Sequence, residues 1–159
     1  MRKLHTVLLF AQNKRGVLER ITMMIRKKMY NLEQITASDT EKEDIKRITI
    51  SFSHEEEAKL EQIVSQLKTI VEVIEAKIID HQISLLREVA IIKVKRESQK
   101  LSEIIALVDI FKAEVVFTKT DYVILQIVGT PRKIQDFISL IQPFGILEMG
   151  SSGGVAMEK

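Results

Sequence analysis

Two hydrophobic periods alternate along this chain, and their order runs twice through the sequence. That order restricts the fold more than any single motif. Residues 3–10 read as a strand with apolar side chains on much of both faces. Val17, Leu18, Ile21, Met24 and Ile25 then recur at helical spacing. Residues 30–37 read as extended, 39–44 as a polar turn, and Ile48, Ile50 and Phe52 alternate with Thr49, Ser51 and Ser53 as a half-buried strand. Ser53 to Glu56 fits a capping box, in which a hydroxyl and a carboxylate each take a main-chain N–H of the other residue. The helix behind it carries Leu60, Ile63, Val64 and Leu67 on one stripe, and 70–78 read as a strand. The first half is thus β-α-β-β-α-β.

The second half repeats the order. Residues 88–94 read as a strand, and Ser98 as the cap of a helix turning Leu101, Ile104, Ile105 and Val108 inward. Strands at 113–118 and 122–128 flank the polar turn Lys119-Thr120-Asp121. Thr130-Pro131 is a strong helix start, with threonine as cap and proline in the first turn. That helix presents Ile134, Phe137, Ile138 and Ile141, stops at Gln142-Pro143-Phe144-Gly145, and precedes a strand near 146–149 and a Gly/Ser tail. The fold class expected is α+β: two ferredoxin-like βαββαβ domains, 1–80 and 81–159, meeting near Asp80-His81-Gln82. The halves share element order and no residue-by-residue identity. Several strands are apolar on both faces, so a partner sheet or subunit is expected to cover the surplus.

Charge and composition remove whole classes of function. With 24 basic against 22 acidic residues, the chain lacks the basic excess of a nucleic-acid binder. At 5% aromatic it offers few platforms for stacking bases, and Arg47 to Phe52 does not follow the RNA-reading pattern of such sheets. The absence of cysteine excludes thiolate metal sites and a cysteine nucleophile. The first apolar run stops at Gln12 with no cleavage site behind it, and no stretch has the length of a membrane span, so a cytoplasmic chain is expected. His5, His54 and His81 fall on separate elements, with no spacing for a metal and no partner for a nucleophile. An enzyme is therefore not expected.

One local pattern can bind a small molecule. The first strand runs into Ala11-Gln12-Asn13-Lys14-Arg15-Gly16-Val17-Leu18, and a helix begins at about Gly16. The unpaired N–H groups of a helix's first turn, with its dipole, suit a carboxylate, and glycine lets the ligand approach the backbone. Asn13 can cap that helix or bond a ligand. A plain helix start has the same sequence, so both readings stand. Asn31, opening the second strand, adds an amide whose oxygen suits an ammonium and whose NH₂ suits a carboxylate. The pair would suit a free amino acid.

The run from Leu4 through Phe52, with Asn13-x-x-Gly16-x-Leu18, Tyr30-Asn31-Leu32-Glu33 and Arg47-Ile48-Thr49-Ile50, resembles an ACT domain. More narrowly it resembles the regulatory small-subunit family of acetolactate synthase, also called acetohydroxyacid synthase. Leu86-Arg87-Glu88-Val89, the run Ile110 to Val116, and Val128-Gly129-Thr130-Pro131-Arg132-Lys133-Ile134 resemble that family's C-terminal domain. The resemblance implies a non-catalytic chain with no cofactor of its own. Its partner is the large catalytic subunit, which carries thiamine diphosphate, Mg²⁺ and FAD and acts in branched-chain amino-acid biosynthesis. The small subunit raises that activity through its C-terminal domain's contact and confers feedback inhibition, usually by valine, bound between two N-terminal ACT domains of a homodimer. Carried over, the effector site comprises Asn13, Lys14, Arg15, Gly16, Val17, Leu18, Asn31, Leu32 and Thr36, with Ser38 and Gln62 at positions associated with feedback resistance. Met29 stands where the family often has glycine. The rival reading is a freestanding ACT-domain amino-acid sensor controlling another enzyme or a transcription factor, which needs no thiamine-dependent partner.

Overall fold

A computed structural model describes residues 5–79 and 84–159. The expected junction at Asp80-His81-Gln82 lies outside the described residues. Two compact units make up the chain: Met1–Leu85 together with Ala156–Lys159, and Leu86–Val155.

The first unit runs β1 (His5–Gln12), α1 (Val17–Lys27), β2 (Leu32–Asp39), β3 (Ile45–Phe52), a 3-10 turn (His54–Lys59), α2 (Leu60–Leu67) and β4 (Val73–Ile78). Its strands lie in the order β2-β3-β1-β4, all antiparallel. Register places Val7 opposite Ile50 and Leu9 opposite Ile48. These side chains share a core with Ile21 and Ile25 of α1 and with Ile63 and Leu67 of α2. The period of two in the strands and of 3.6 in the helices thus meet on one sheet face.

The opposite face corrects the half-buried reading of β3. Thr49 is 3% and Ser51 4% exposed, nearly as closed to water as Ile48 and Ile50 beside them. Thr6 and Leu8 on the neighbouring strand are equally buried. On that face Arg47 lies 4.9 Å over the Phe10 ring and donates to the carbonyl of Ala156, itself fully buried.

Helix α1 closes with a Schellman motif. Tyr30 N–H bonds Ile25 C=O at 3.2 Å and Met29 N–H bonds Arg26 C=O at 3.0 Å. The left-handed position falls on Met29, φ 59°, where glycine is the usual choice. Tyr30 and Ile25 both lie in the core, supplying the apolar contact of the motif. The capping box does not form. Ser53 precedes the 3-10 turn without a side-chain cap, Glu56 N–H bonds the Ser53 carbonyl, and the Glu56 carboxylate turns to the N–H of Asn31, just before β2. A 3-10 turn closes its bonds three residues back onto the carbonyl, which leaves the hydroxyl no N–H to take.

The second unit comprises most of β5 (Ser84–Lys95), then α3 (Leu101–Phe111), β6 (Glu114–Thr118), β7 (Tyr122–Gly129), α4 (Pro131–Ile141), a 3-10 turn (Gln142–Phe144) and β8 (Ile146–Ser151). The strand order is β6-β7-β5-β8, and a last strand, β9 (Val155–Glu158), lies in the first unit from Ala156 on. Ala90, Ile92 and Val94 form a core with Leu125, Ile134 and Phe137. Ser98 is not the cap of α3. The helix begins after Lys100 with no side-chain cap, and Ile104 and Val108 are buried while Ile105 is 39% exposed. Apolar residues surround much of α3, so the register of its packing, one i, i+4 column, cannot be told from its neighbours by pattern. Thr130 does cap α4, its hydroxyl accepting the Lys133 N–H at 3.2 Å. No helix among the described residues is long and apolar enough to cross a membrane.

Candidate functional site

The stretch between β1 and α1 holds itself in place through its main chain. Asn13 N–H donates to the carbonyl of Asp44 at 2.7 Å, and its side-chain amide donates to that of Glu43 at 3.4 Å. Both bonds tie it to the turn before β3, so Asn13 does not cap α1. Gly16 takes the cap position in a left-handed conformation, φ 80°, with no side-chain cap there. A Cβ added at Gly16 would meet nothing closer than Arg20 Nη1 at 3.8 Å. The glycine is required by backbone angle, which L side chains adopt at a cost, and not by crowding within the chain.

A cavity of about 440 Å³ opens beside this turn. Asn13, Lys14, Gly16, Val17 and Leu18 line it, joined by Gln12, Glu19, Ala37, Lys46 and Ile48. The first turn of α1, whose N–H groups have no intrahelical partners, is therefore part of its wall. Lys14 and Lys46 add positive charge, Lys46 also pairing with Asp39, while Glu19 adds a carboxylate. Apolar surface comes from Val17, Leu18, Ala37 and Ile48. The Val17 N–H is taken by the Lys14 carbonyl at 3.3 Å, which leaves those of Leu18 and Glu19; with the cationic groups and a small apolar wall they form the surface that an amino-acid carboxylate and an aliphatic side chain need.

The structure separates the remaining expected site residues from this cavity. Arg15 is exposed beside it but does not line it. Asn31 is exposed and stands at the far end of the sheet, next to Ser53, whose N–H bonds its carbonyl at 3.5 Å. Leu32 pairs with Phe52, also at that end, whereas the Asn13 end of β1 pairs with Ile45. The length of β3 intervenes, roughly 25 Å at the usual rise per residue. A single copy of the chain does not bring Asn31 to the Asn13–Gly16 turn. Thr36 pairs with Thr49 and Ser38 with Arg47, on the face away from the helices, while Gln62 is exposed on α2. Ala37, Lys46 and Ile48 were not found by sequence. They reach the cavity through the β2–β3 register, which sets Ala37 opposite Ile48, and no local pattern announces that pairing.

Of the histidines, His5 lies 3.6 Å from the Glu57 carboxylate. The side chain of His54 and all of His81 lie outside the described residues. Among those described, no group of three or more His, Asp or Glu residues is placed to hold a metal.

A βαββαβ unit with a ligand-sized cavity at the start of its first helix, followed by a second unit of the same order, defines a two-domain protein of the ACT class. Residues 7–75 match the AHAS small subunit-like ACT domain family, and residues 87–159 match the family described as small subunit of acetolactate synthase. The acetolactate synthase small subunit of Bacillus subtilis is 35% identical over 147 residues, covering 92% of this chain and 86% of that protein. That of Mycolicibacterium smegmatis is 32% identical over 155 residues, covering 98% and 91%. The crystal structure of the acetolactate synthase small subunit from Thermotoga maritima superposes with a TM-score of 0.87 at 29% identity, covering 99% of this chain and 98% of that one. The chain belongs to the acetolactate synthase small-subunit family.

Proposed function

We propose that this chain is a non-catalytic regulatory subunit that activates a thiamine-diphosphate-dependent acetolactate synthase and makes it sensitive to a branched-chain amino acid, valine first among them. The observation that carries the effector half is the cavity beside Gly16, with the N–H groups of Leu18 and Glu19 at the helix start, two lysines and an aliphatic wall. Family membership supports the partner half.

The separation of Asn31 from that cavity fits an effector bound between two copies. Strand β2 is an edge of its sheet. A two-fold axis pairing β2 antiparallel with itself sets the Asn31 end of one copy against the Asn13–Gly16 end of the other. The helix N–H groups of one copy then hold the carboxylate, Asn31 of the other the remaining polar group, and Leu18 and Ala37 the side chain. A ligand that bridges two copies binds the dimer better than the monomer and shifts the dimer's equilibrium by that difference. The second unit carries the contact to the catalytic subunit. Support for this is its sheet face without helices, where Ile91 is 50%, Val128 46% and Phe117 46% exposed.

The test is acetolactate formation by the catalytic subunit, assayed with and without this chain and with and without valine. Stimulation by the chain and its reversal by valine are expected. No stimulation defeats the regulatory reading, and stimulation that no branched-chain amino acid reverses defeats its effector half.

A further inference from the structure

Beside Asn31 lies an acid that the reading above does not use. Glu56 is 5% exposed, a degree of burial that a carboxylate tolerates only with compensation. Its Oε1 accepts the main-chain N–H of Asn31 at 3.3 Å, across 25 positions of sequence. Three residues earlier, Ser53 N–H donates to the Asn31 carbonyl at 3.5 Å. Both sides of Asn31 are thus held by one short segment.

The remaining polar groups of the cluster are less well satisfied. Glu56 Oε2 has no hydrogen bond among the described residues, although the ammonium of Lys59, on a half-exposed side chain, lies 3.0 Å away as an ion pair. The Ser53 hydroxyl is also buried without a partner. Packing alone does not call for this arrangement. Asn31 is exposed, and water can satisfy an exposed N–H without a buried charge. What a buried carboxylate gives, and water does not, is a fixed main-chain position for Asn31. The left-handed Met29 two residues before it sets the direction of the chain into the same point.

We infer that Glu56 is a positioning residue for the effector site: by holding the Asn31 main chain it aims the Asn31 amide at the ligand. This rests on the effector reading of Asn31 given above. The experiment is calorimetric titration of the full chain with valine, leucine and isoleucine. Glu56→Gln keeps an oxygen that can accept the N–H and should bind within about threefold of the parent protein. Glu56→Ala should bind about tenfold more weakly or worse. Glu56→Asp, one methylene short of the N–H, should show the same loss and serves where the alanine variant fails to fold. Ile63→Val, a core substitution in α2 that lowers stability without touching Asn31, should leave affinity unchanged. Amide exchange at Asn31 should accelerate in the alanine and aspartate variants and not in the glutamine one. Unchanged affinity in both Glu56→Ala and Glu56→Asp, or an equal loss in Ile63→Val, overturns the role of Glu56 alone. A parent protein that binds none of the three amino acids overturns the effector reading and this inference with it.

Discussion

The two units repeat one another in backbone detail that their side chains do not share. In each, the first helix ends in a Schellman motif with a left-handed residue other than glycine, Met29 at φ 59° and Lys112 at φ 53°. Ala113 N–H bonds Val108 C=O at 2.9 Å as Tyr30 N–H bonds Ile25 C=O. In each, the register slips between the last residues of the first strand, at Phe10/Ala11 and at Lys93/Val94, where it pairs the final strand of the unit's order. The second strand also slips near its start in both. What differs is the start of the first helix and the face without helices. The first unit has a left-handed glycine and a cavity, and its far sheet face is buried at Thr6, Leu8 and Thr49. The second unit has Lys100 in that place, in helical conformation, and leaves Ile91, Phe117 and Val128 open. On the proposed reading, one backbone serves two kinds of contact, a small ligand at a helix start and a protein at an open sheet, and the two units differ at one turn and one face.

The largest effect that can break this comparison lies in the cores. Phe52 and Phe137 are both fully buried. Replacing either by alanine should cost about 3–5 kcal/mol, read from the urea midpoint, with amide exchange accelerating first in the unit that carries the substitution. Equal acceleration in both units would show that they do not unfold as separate bodies. Next in size are the contacts assigned to each unit. Ile91→Glu should weaken the complex with the catalytic subunit by about tenfold or more, measured by co-purification and titration, while leaving the melting temperature and valine binding as they were. Gly16→Asp should do the reverse: valine affinity falls because a like charge meets the carboxylate and the left-handed backbone resists a side chain, yet the complex persists. If both variants moved both readouts, the division of labour between the units would fail.

Element order was legible because hydrophobic period is a local property. Ile48, Ile50 and Phe52 announce a strand, and Thr130-Pro131 a helix start, without reference to anything distant. The Asn13–Gly16 turn was legible for the same reason, since the residues that shape it are neighbours in sequence. What was not legible depends on pairing at a distance. Ala37 meets Ile48 only through strand register, and Glu56 meets Asn31 only because β3 returns the chain to the start of β2. The burial of Thr49 and Ser51 depends on what covers a face, which alternation alone cannot report. Nor could the sequence place Ser53: its box of residues is the right one, and the chain uses it as a 3-10 turn.

That last case sharpens the comparison at about 1 kcal/mol. Thr130→Ala removes a hydroxyl that accepts an N–H at the start of α4 and should lower stability by about 1 kcal/mol. Ser53→Ala removes a hydroxyl that caps nothing and is buried unsatisfied, and should be neutral or slightly stabilising by denaturant titration. Met29→Gly and Lys112→Gly test the shared motif. Each relieves a left-handed side chain and should raise stability by up to about 1 kcal/mol, with the melting temperature rising in both. A gain in one unit alone would mean that the repeated geometry conceals different strain.

The smallest effects concern charge, and here the units are of opposite sign. In the first, the ammonium of Lys77 sits between two carboxylates, 2.6 Å from Glu158 and 3.2 Å from Glu75. Its pKa is raised above 10.5, chiefly by the hydrogen bond to Glu158. In the second, the carboxylate of Glu97 sits between two ammonium groups, 2.9 Å from Lys100 and 3.3 Å from Lys95. Its pKa is lowered below 4.5, chiefly by the hydrogen bond to Lys100. A raised pKa means the folded chain holds that proton more tightly, so the Lys77 contribution is complete below the unfolded value and disappears as pH rises through the folded one. A lowered pKa means the reverse, so the Glu97 contribution is complete above the unfolded value and disappears as pH falls through the folded one. Both groups are near the surface, where solvent and salt screen such pairs, so both effects are small and smaller still in salt. Urea midpoints followed across pH should therefore lose part of their alkaline decline in Lys77→Met, which leaves the acid limb alone, whereas Glu97→Gln should lose part of the acid decline and also the alkaline share of Lys100, whose pKa the Glu97 carboxylate raises. A Lys77→Met curve that still falls as steeply above pH 10.5 would remove the tail carboxylate of Glu158 from the forces that hold the last residues in the first unit.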